Sequence, residues 1–551
     1  MNRPAPADLL LTHARVHTVD PELPEAEALA VRDGRIVWVG DADEAEAWTG
    51  PGTRVLDAGG RLVLPGFVDA HNHVRLGSDD ACVQLAGARD LDEIHTRVRA
   101  WRTAHPDAPW IEAEAFDYSA IPGGRMPTAA DLDPVTGDTP ALVLSYDVHT
   151  AWLNTAALRA LDVRADRTDL PFGTAVTDPA TGEPTGFVQD FAVKGLSREG
   201  HRALRGLGVP WASADRQYGR LAKSLDDAIG YGITTVVEPQ NSLDDLALFQ
   251  RARTEGRLRS RIVAALFHPR GTTEAELDEF AAAAEEFADD RLRVGPLKLY
   301  IDDVVEPRTA ALLEPYAGCG HHRGDTFYPP EEFAELLTRL DARGFQCFVH
   351  ATGDRGIRTV LDAVEQARAV NGPRDARHQV VHVECLDPAD TPRFAELGVT
   401  ACMQPRHAAP DIAGPGQDWA ENIGPERWHK AWPLRSLHRA GALLALSSDW
   451  NVAEMDPMIG IHAAVTRRPP GGGAAWTPGE TLDVATAVEG YTMGSARANF
   501  LEHERGSLTV GKLADFVVLS RDILAVEPDV IPGTVAETVV VGGEVVHTAG
   551  R

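Results

Sequence analysis

The stretch "VLPGFVDAHNHV", residues 63–74, sets two histidines one residue apart at the end of a short apolar run that follows Pro65-Gly66. Successive side chains of an extended segment point to opposite faces, so His71 and His73 project on the same side. They read either as a pair of metal ligands or as two unrelated polar residues at a strand end. A chain with 20 histidines produces this spacing by chance, so the decision rests on the other segments.

Seven further segments look like strands: 232–239 (GITTVVEP), 260–268 (SRIVAALFH), 294–302 (VGPLKLYID), 344–354 (GFQCFVHATGD), 377–385 (RHQVVHVEC), 398–407 (GVTACMQPRH) and 441–450 (GALLALSSDW). Helical patterns such as 330–344 and 357–372 separate the later ones. Eight strand–helix units are the content of a (β/α)8 barrel, whose active site lies at the C-terminal ends of its strands. The gap after the first strand is too long for a loop and predicts an inserted subdomain over 77–205. Period-two apolar alternation with Asp-Gly and Gly-Gly turns marks 1–65 as a small β unit, and 502–551 returns to that style. The expected fold class is α/β: a distorted (β/α)8 TIM barrel (strand one at 66–76, the remainder at 206–501) with a β-sandwich built from both termini.

The 551 residues carry a net charge of −29, which argues against nucleic acid or an anionic membrane surface as a partner. No apolar run reaches the length of a membrane span, and the first twenty residues lack the pattern of a signal peptide. The five cysteines (Cys82, Cys319, Cys347, Cys385, Cys402) are scattered, with no C-x-x-C pair, as expected of reduced thiols in the cytoplasm. A small-molecule substrate is expected, and the sequence leaves room for a homodimer. Only five lysines are present among 53 basic residues, which gives a chemical reason for Lys298 more weight.

Side chains suited to binding metal recur at the ends of the expected strands: His71 and His73 on the first, Lys298 on the fourth, His350 on the fifth, His382 on the sixth, Asp449 on the eighth. Imidazole and carboxylate are zinc ligands. Any one of these has a blander reading, a strand-end residue bonded to a loop. Six on one barrel mouth do not.

This set resembles the amidohydrolase superfamily, and the stretches "LPGFVDAHNH", "SYDVHTAWLNTAAL", "KLYIDDVVEPRTAALLEPY", "HATGDRGI", "SSDWNVAEMDP" and "GSLTVGKLADFVVL" resemble amidohydrolase family 3, the YtcJ-like group that includes N-substituted formamide deformylases. The resemblance covers almost the whole chain. It implies a divalent metal cofactor, zinc being the expected ion, as one or two ions held by His71, His73, Lys298, His350, His382 and Asp449. Lys298 would be carboxylated and bridge the ions; arginine cannot do this, being always protonated. The competing reading of Lys298 is an ion pair with Asp302 or Asp303. The implied activity is hydrolysis of a non-peptide C–N bond in an amide, N-substituted formamide or cyclic amide by metal-activated hydroxide, with Asp449 moving the proton. A lactonase or esterase on the same metal site, or a non-catalytic metal-binding barrel, are the alternatives. The chain departs from the family's pattern at Ala113-Glu114-Ala115-Phe116, at Asp302-Asp303 and at His407, all expected near the substrate. Phe116, Asp117, Tyr118, His149, Asp302, His407 and Trp450 are the expected substrate-binding residues, and Phe116, His407 and Trp450 are expected to make the cavity mostly apolar.

Overall fold

The structure, a computed structural model, describes residues 4–77 and 79–550. Residues 1–3, 78 and 551 belong to the expected segments 1–65, 77–205 and 502–551 and lie outside the described residues. Eight strands, Phe67–Asp69, Ile233–Asn241, Arg261–Phe267, Leu292–Tyr300, Cys347–Ala351, Gln379–His382, Thr400–Met403 and Leu443–Leu446, pair in chain order as one parallel sheet. Covered on both faces, such strands read as near-continuous apolar runs, and every residue of Arg261–Phe267 is buried. Helices that follow the later strands pack one apolar stripe on the sheet. In Asp354–Asn371 that stripe is Ile357, Val360, Leu361, Val364 and Ala367, all buried at helical spacing.

The sheet curls until its first and last strands meet. Ala70 N donates to Leu446 O at 3.4 Å and Asp449 N to His71 O at 2.8 Å. The buried Asp69 carboxylate accepts from Ser448 N at 3.0 Å, and its burial pushes its pKa up to about 6. The barrel is floored by Ala70, Ala265, Phe348, Val381, Cys402 and Ala445. These small residues around one phenylalanine leave the space above them to longer polar side chains.

Both ends of the chain contribute to one six-stranded sheet. Leu62–Pro65 pairs with Phe516–Leu519 in antiparallel register, Pro65 opposite Phe516, and with Arg15–His17 in parallel. Ala536–Val541 and Glu544–Thr548 extend it on one side, Glu25–Ala26 on the other. A four-stranded sheet of Leu9–Thr12, Ala28–Arg32, Arg35–Gly40 and Arg54–Asp57 faces it across a core that includes Leu11, Val16, Leu29, Val63 and Phe516. This sandwich is welded to the barrel by Arg261, 1% exposed, whose guanidinium grips Asp515 through Nε–Oδ2 at 2.7 Å and Nη2–Oδ1 at 2.9 Å. Breaking a buried pair strands a charge and costs about 3–5 kcal/mol. Asp515→Ala is therefore expected to lower unfolding stability by that order in a denaturant titration. A change below about 1 kcal/mol would show that the neighbouring Asp290 carboxylate, 2.7 Å from Arg261 Nη1, suffices alone.

Between the first two barrel strands the chain forms a seven-stranded sheet, from Val83–Gln84 through Ile111–Phe116 and Ala141–Ser145 to Asp169–Leu170 at its far edge. A tight turn at 145–150 ends one of these strands. The Asp147 carboxylate accepts from Ser145 Oγ at 2.5 Å and His149 N at 3.0 Å, and the turn holds Asp147 and His149 over the barrel mouth.

Candidate metal centre

The end of the first strand presents His71 and His73 with their Nε2 atoms 3.2 Å apart. Asp449, just beyond the eighth strand, places Oδ1 at 3.2 Å from His71 Nε2 and 3.4 Å from His73 Nε2. All three side chains are buried. Burial pushes His71 down to about 3 and lowers His73 also. Burial opposes the charge on Asp449, but its imidazole neighbours outweigh that and hold it well below the usual carboxylate range. Asp449 Oδ1 is buried without a hydrogen-bond partner. Two buried imidazole nitrogens converging on a buried carboxylate oxygen form a donor set that fits a divalent cation. His382 and Asp449 both adopt positive φ, 80° and 56°, in the region side chains avoid.

The remaining expected ligands reach the same place. His73, Lys298, His350, His382 and Asp449 all line one cavity of about 340 Å³. His382 Nδ1 is 3.5 Å from Asp449 Oδ2, and the His350 and His382 ring centres are 4.5 Å apart. His350 Nε2 also lies 3.1 Å from Asp303 O. Lys298 is 1% exposed, with Nζ 4.6 Å from the Tyr300 ring centre, and burial lowers its pKa to about 8. The carboxylates that could have paired with it are committed elsewhere. Asp302 accepts the backbone N–H groups of Ala311, Thr352 and Gly353 at 2.9–3.0 Å, and Asp303 pairs with His149.

Sequence reasoning passed over several carboxylates. Glu238, within the second strand, puts Oε1 4.0 Å from His73 Nδ1 and is held from behind by Arg75, Nε–Oε2 3.5 Å. Burial raises it to about 7 although Arg75 opposes this. Glu384 forms, with His382 and His407, a second buried group whose potential ligand atoms lie within 4.8 Å of one another. Ionisable residues at the ends of barrel strands were the signal, and "VVEP" and "HVEC" carry it as plainly as the histidines do.

Four of the expected substrate-binding residues face open space and three do not. His149 and His407 line an inner chamber of about 510 Å³ above the metal cluster, and Asp117 and Tyr118 line an outer one of about 810 Å³. Phe116 instead packs into the insertion's own core against Tyr118 and Trp152. Asp302 is consumed by its three backbone amides. Trp450 turns its indole toward Ser224, Nε1–Oγ 3.4 Å. The inner chamber carries more polar groups than expected: Asp147, Glu306, Glu384 and Asp449 line it with four histidines, beside Val304, Ile412, Trp432 and Val452. The expectation of few polar groups fails because the rings of Phe116 and Trp450 serve local packing, while loop carboxylates turn inward.

The sequence profile of the amidohydrolase family matches residues 54–547. The chain belongs to the amidohydrolase family. This amidohydrolase is 31% identical over 533 residues to the protein LONG AFTER FAR-RED 3 of Arabidopsis thaliana, covering 94% of this chain and 88% of that one. It is 28% identical over 529 residues to an N-substituted formamide deformylase of Arthrobacter pascens, 94% of each chain. Its fold is that of a metal-dependent hydrolase from Pyrococcus horikoshii OT3, with a TM-score of 0.73 at 22% identity over 94% of this chain and 99% of the other. Among the described residues no helix is long and apolar enough to cross a membrane.

Proposed function

We propose that this amidohydrolase hydrolyses a non-peptide C–N bond, in an amide, an N-substituted formamide or a cyclic amide, with a divalent metal, zinc, as cofactor. The observation that carries the proposal is the convergence of His71 Nε2, His73 Nε2 and Asp449 Oδ1 within 3.4 Å. Its relation to a formamide deformylase over most of both chains supports the reaction class. His71, His73 and Asp449 would hold one ion, with Lys298, His350 and His382 beside it for a second. When bound, such a cation supplies a Lewis acid that polarises a carbonyl and brings the pKa of water toward 7.

The chain's own groups do the rest. Asp449 Oδ2, between His382 at 3.5 Å and His407 at 3.9 Å, accepts the proton as the water oxygen bonds to the carbonyl carbon. It returns that proton to the nitrogen as the C–N bond breaks. The Glu238 carboxylate stands 4.0 Å behind His73 Nδ1, and the Phe348 ring, stacked 5.2 Å from that of His71, holds the other imidazole. The decisive experiment is a screen of formamides, amides and cyclic amides against zinc-loaded protein; esters and lactones turned over in their place would redirect the reading.

The reading extends to Lys298 as a carboxylated bridge; its position among the expected ligands, with neither Asp302 nor Asp303 paired to it, supports this. Lys298→Ala is expected to lose activity and to regain part of it when a short-chain carboxylic acid is added. Mass spectrometry of the intact loaded protein that found no carbon dioxide adduct, together with an absence of rescue, would rule out the bridge.

A further inference from the structure

The inner and outer chambers share Tyr146, Glu306, Ile412 and Val452 in their walls, so they form one passage from the surface to the metal cluster. Its charge is one-sided. Asp117, Asp411 and Asp418 line the outer part, Glu306 the junction, Asp147 and Glu384 the inner part. Among the described residues no lysine or arginine lines either chamber. Asp411 is neutralised by Arg406 at 2.7 Å, and the inner His149 is committed to Asp303. For Asp117, Glu306 and Asp418 no cationic group lies within 4.0 Å among the described ion pairs. His407, 6% exposed, lines the inner chamber with Nε2 lacking any hydrogen-bond partner. The passage therefore offers acceptors and negative charge, and it offers aromatic faces at Tyr118 and Tyr146, which attract cations. Burial, and then the nearby Asp147, push Glu306 up to about 8, so its charge is disfavoured until a cation arrives beside it.

We propose that the substrate of this site carries a positive charge, an ammonium or guanidinium, on the side remote from the scissile C–N bond, and that Glu306 with the Tyr118–Tyr146 wall receives it. The proposal rests on the amidohydrolase reading and goes further, since nothing in the metal cluster specifies the tail. Glu306, whose neighbour across the junction is the Tyr146 hydroxyl and which has no cationic partner among the described ion pairs, is placed to recognise a charged donor by a charge-assisted hydrogen bond. Such bonds discriminate by about ten- to a hundredfold.

The test compares three formamides of matched length on zinc-loaded protein: N-formyl-1,5-diaminopentane, N-formylhexylamine and N-formyl-6-aminohexanoate. The ammonium compound is expected to have the highest kcat/KM, by about tenfold or more over the neutral one, and Glu306→Gln is expected to shrink that ratio. Asp418→Asn, at the outer rim, provides a second variant whose ratio should also fall. In parallel, calorimetry follows 1,5-diaminopentane binding to the same loaded protein, with weaker binding expected in Glu306→Gln. Preference for the neutral or anionic formamide, or a ratio unchanged in both variants, overturns the proposal and leaves the hydrolase reading standing. Tight, Glu306-dependent diamine binding with no formamide cleaved supports the cation site and counts against the reaction class.

Discussion

Exchange of His71 for alanine is expected to strip the protein of bound metal and of hydrolysis together, each by at least about a hundredfold. Loss of an outer-shell partner typically costs 10–100-fold in metal affinity or activity, and His71 would be a direct ligand. Its Nε2 lies 3.2 Å from both His73 Nε2 and Asp449 Oδ1, so removing it leaves one imidazole and one carboxylate where three donors converged. The paired measurements are elemental analysis of dialysed protein and turnover of a formamide. Full metal content in the variant would place the ion elsewhere, with the His382–Glu384–His407 group the first alternative. His73→Ala should behave alike, whereas Glu238→Gln should weaken metal binding by a smaller factor, because Glu238 stands 4.0 Å behind His73 and outside the His71, His73 and Asp449 group.

Asp449→Asn should separate proton transfer from binding. The amide fills the same volume and keeps an oxygen toward the histidines, but it cannot accept the proton. A positioned acid–base group contributes about 10²–10⁴-fold, so kcat should fall by that order in protein brought to full metal occupancy, with KM changed much less. Fully loaded Asp449→Asn that turns over within about threefold of wild type, well below that range, would assign proton transfer to another carboxylate, with Glu384, grouped with His382 and His407, the first candidate. Metal content must be measured on the same sample, since Asp449 also touches both histidines.

Much of this architecture could be read from the chain. Buried parallel strands are runs of apolar residues, as in Arg261–Phe267, and such runs are visible without a structure. Ligating residues at their ends stood out because a histidine, lysine or aspartate closing an apolar run is chemically conspicuous. The substrate cavity was much less legible. Asp302 and Asp303 are neighbours in the chain, yet one is enclosed by backbone amides while the other holds His149. Which of two adjacent loop residues turns toward the cavity depends on where the chain goes next, and no periodicity records that. Phe116 failed for a related reason: it ends the strand Ile111–Phe116 with its ring in the insertion's core, whereas Asp117 and Tyr118, just past the strand, face the outer chamber.

The pairing of Val63 with Val518 sets an order of events during synthesis. As the ribosome releases the first barrel strand, the strand before it still lacks the edge partner that only the last fifty residues provide. Long-range pairing of this kind is slow to form, and an unpaired apolar edge is a site for wrong association. His71 and His73 lie a few residues beyond that edge, so their final alignment is expected to wait for the C-terminus to emerge. Chains arrested on the ribosome before residue 516 should accordingly be protease-sensitive around residues 62–74 and become protected once the last strands are released. Equal protection in both would mean that the barrel organises this segment without help from the far end of the chain.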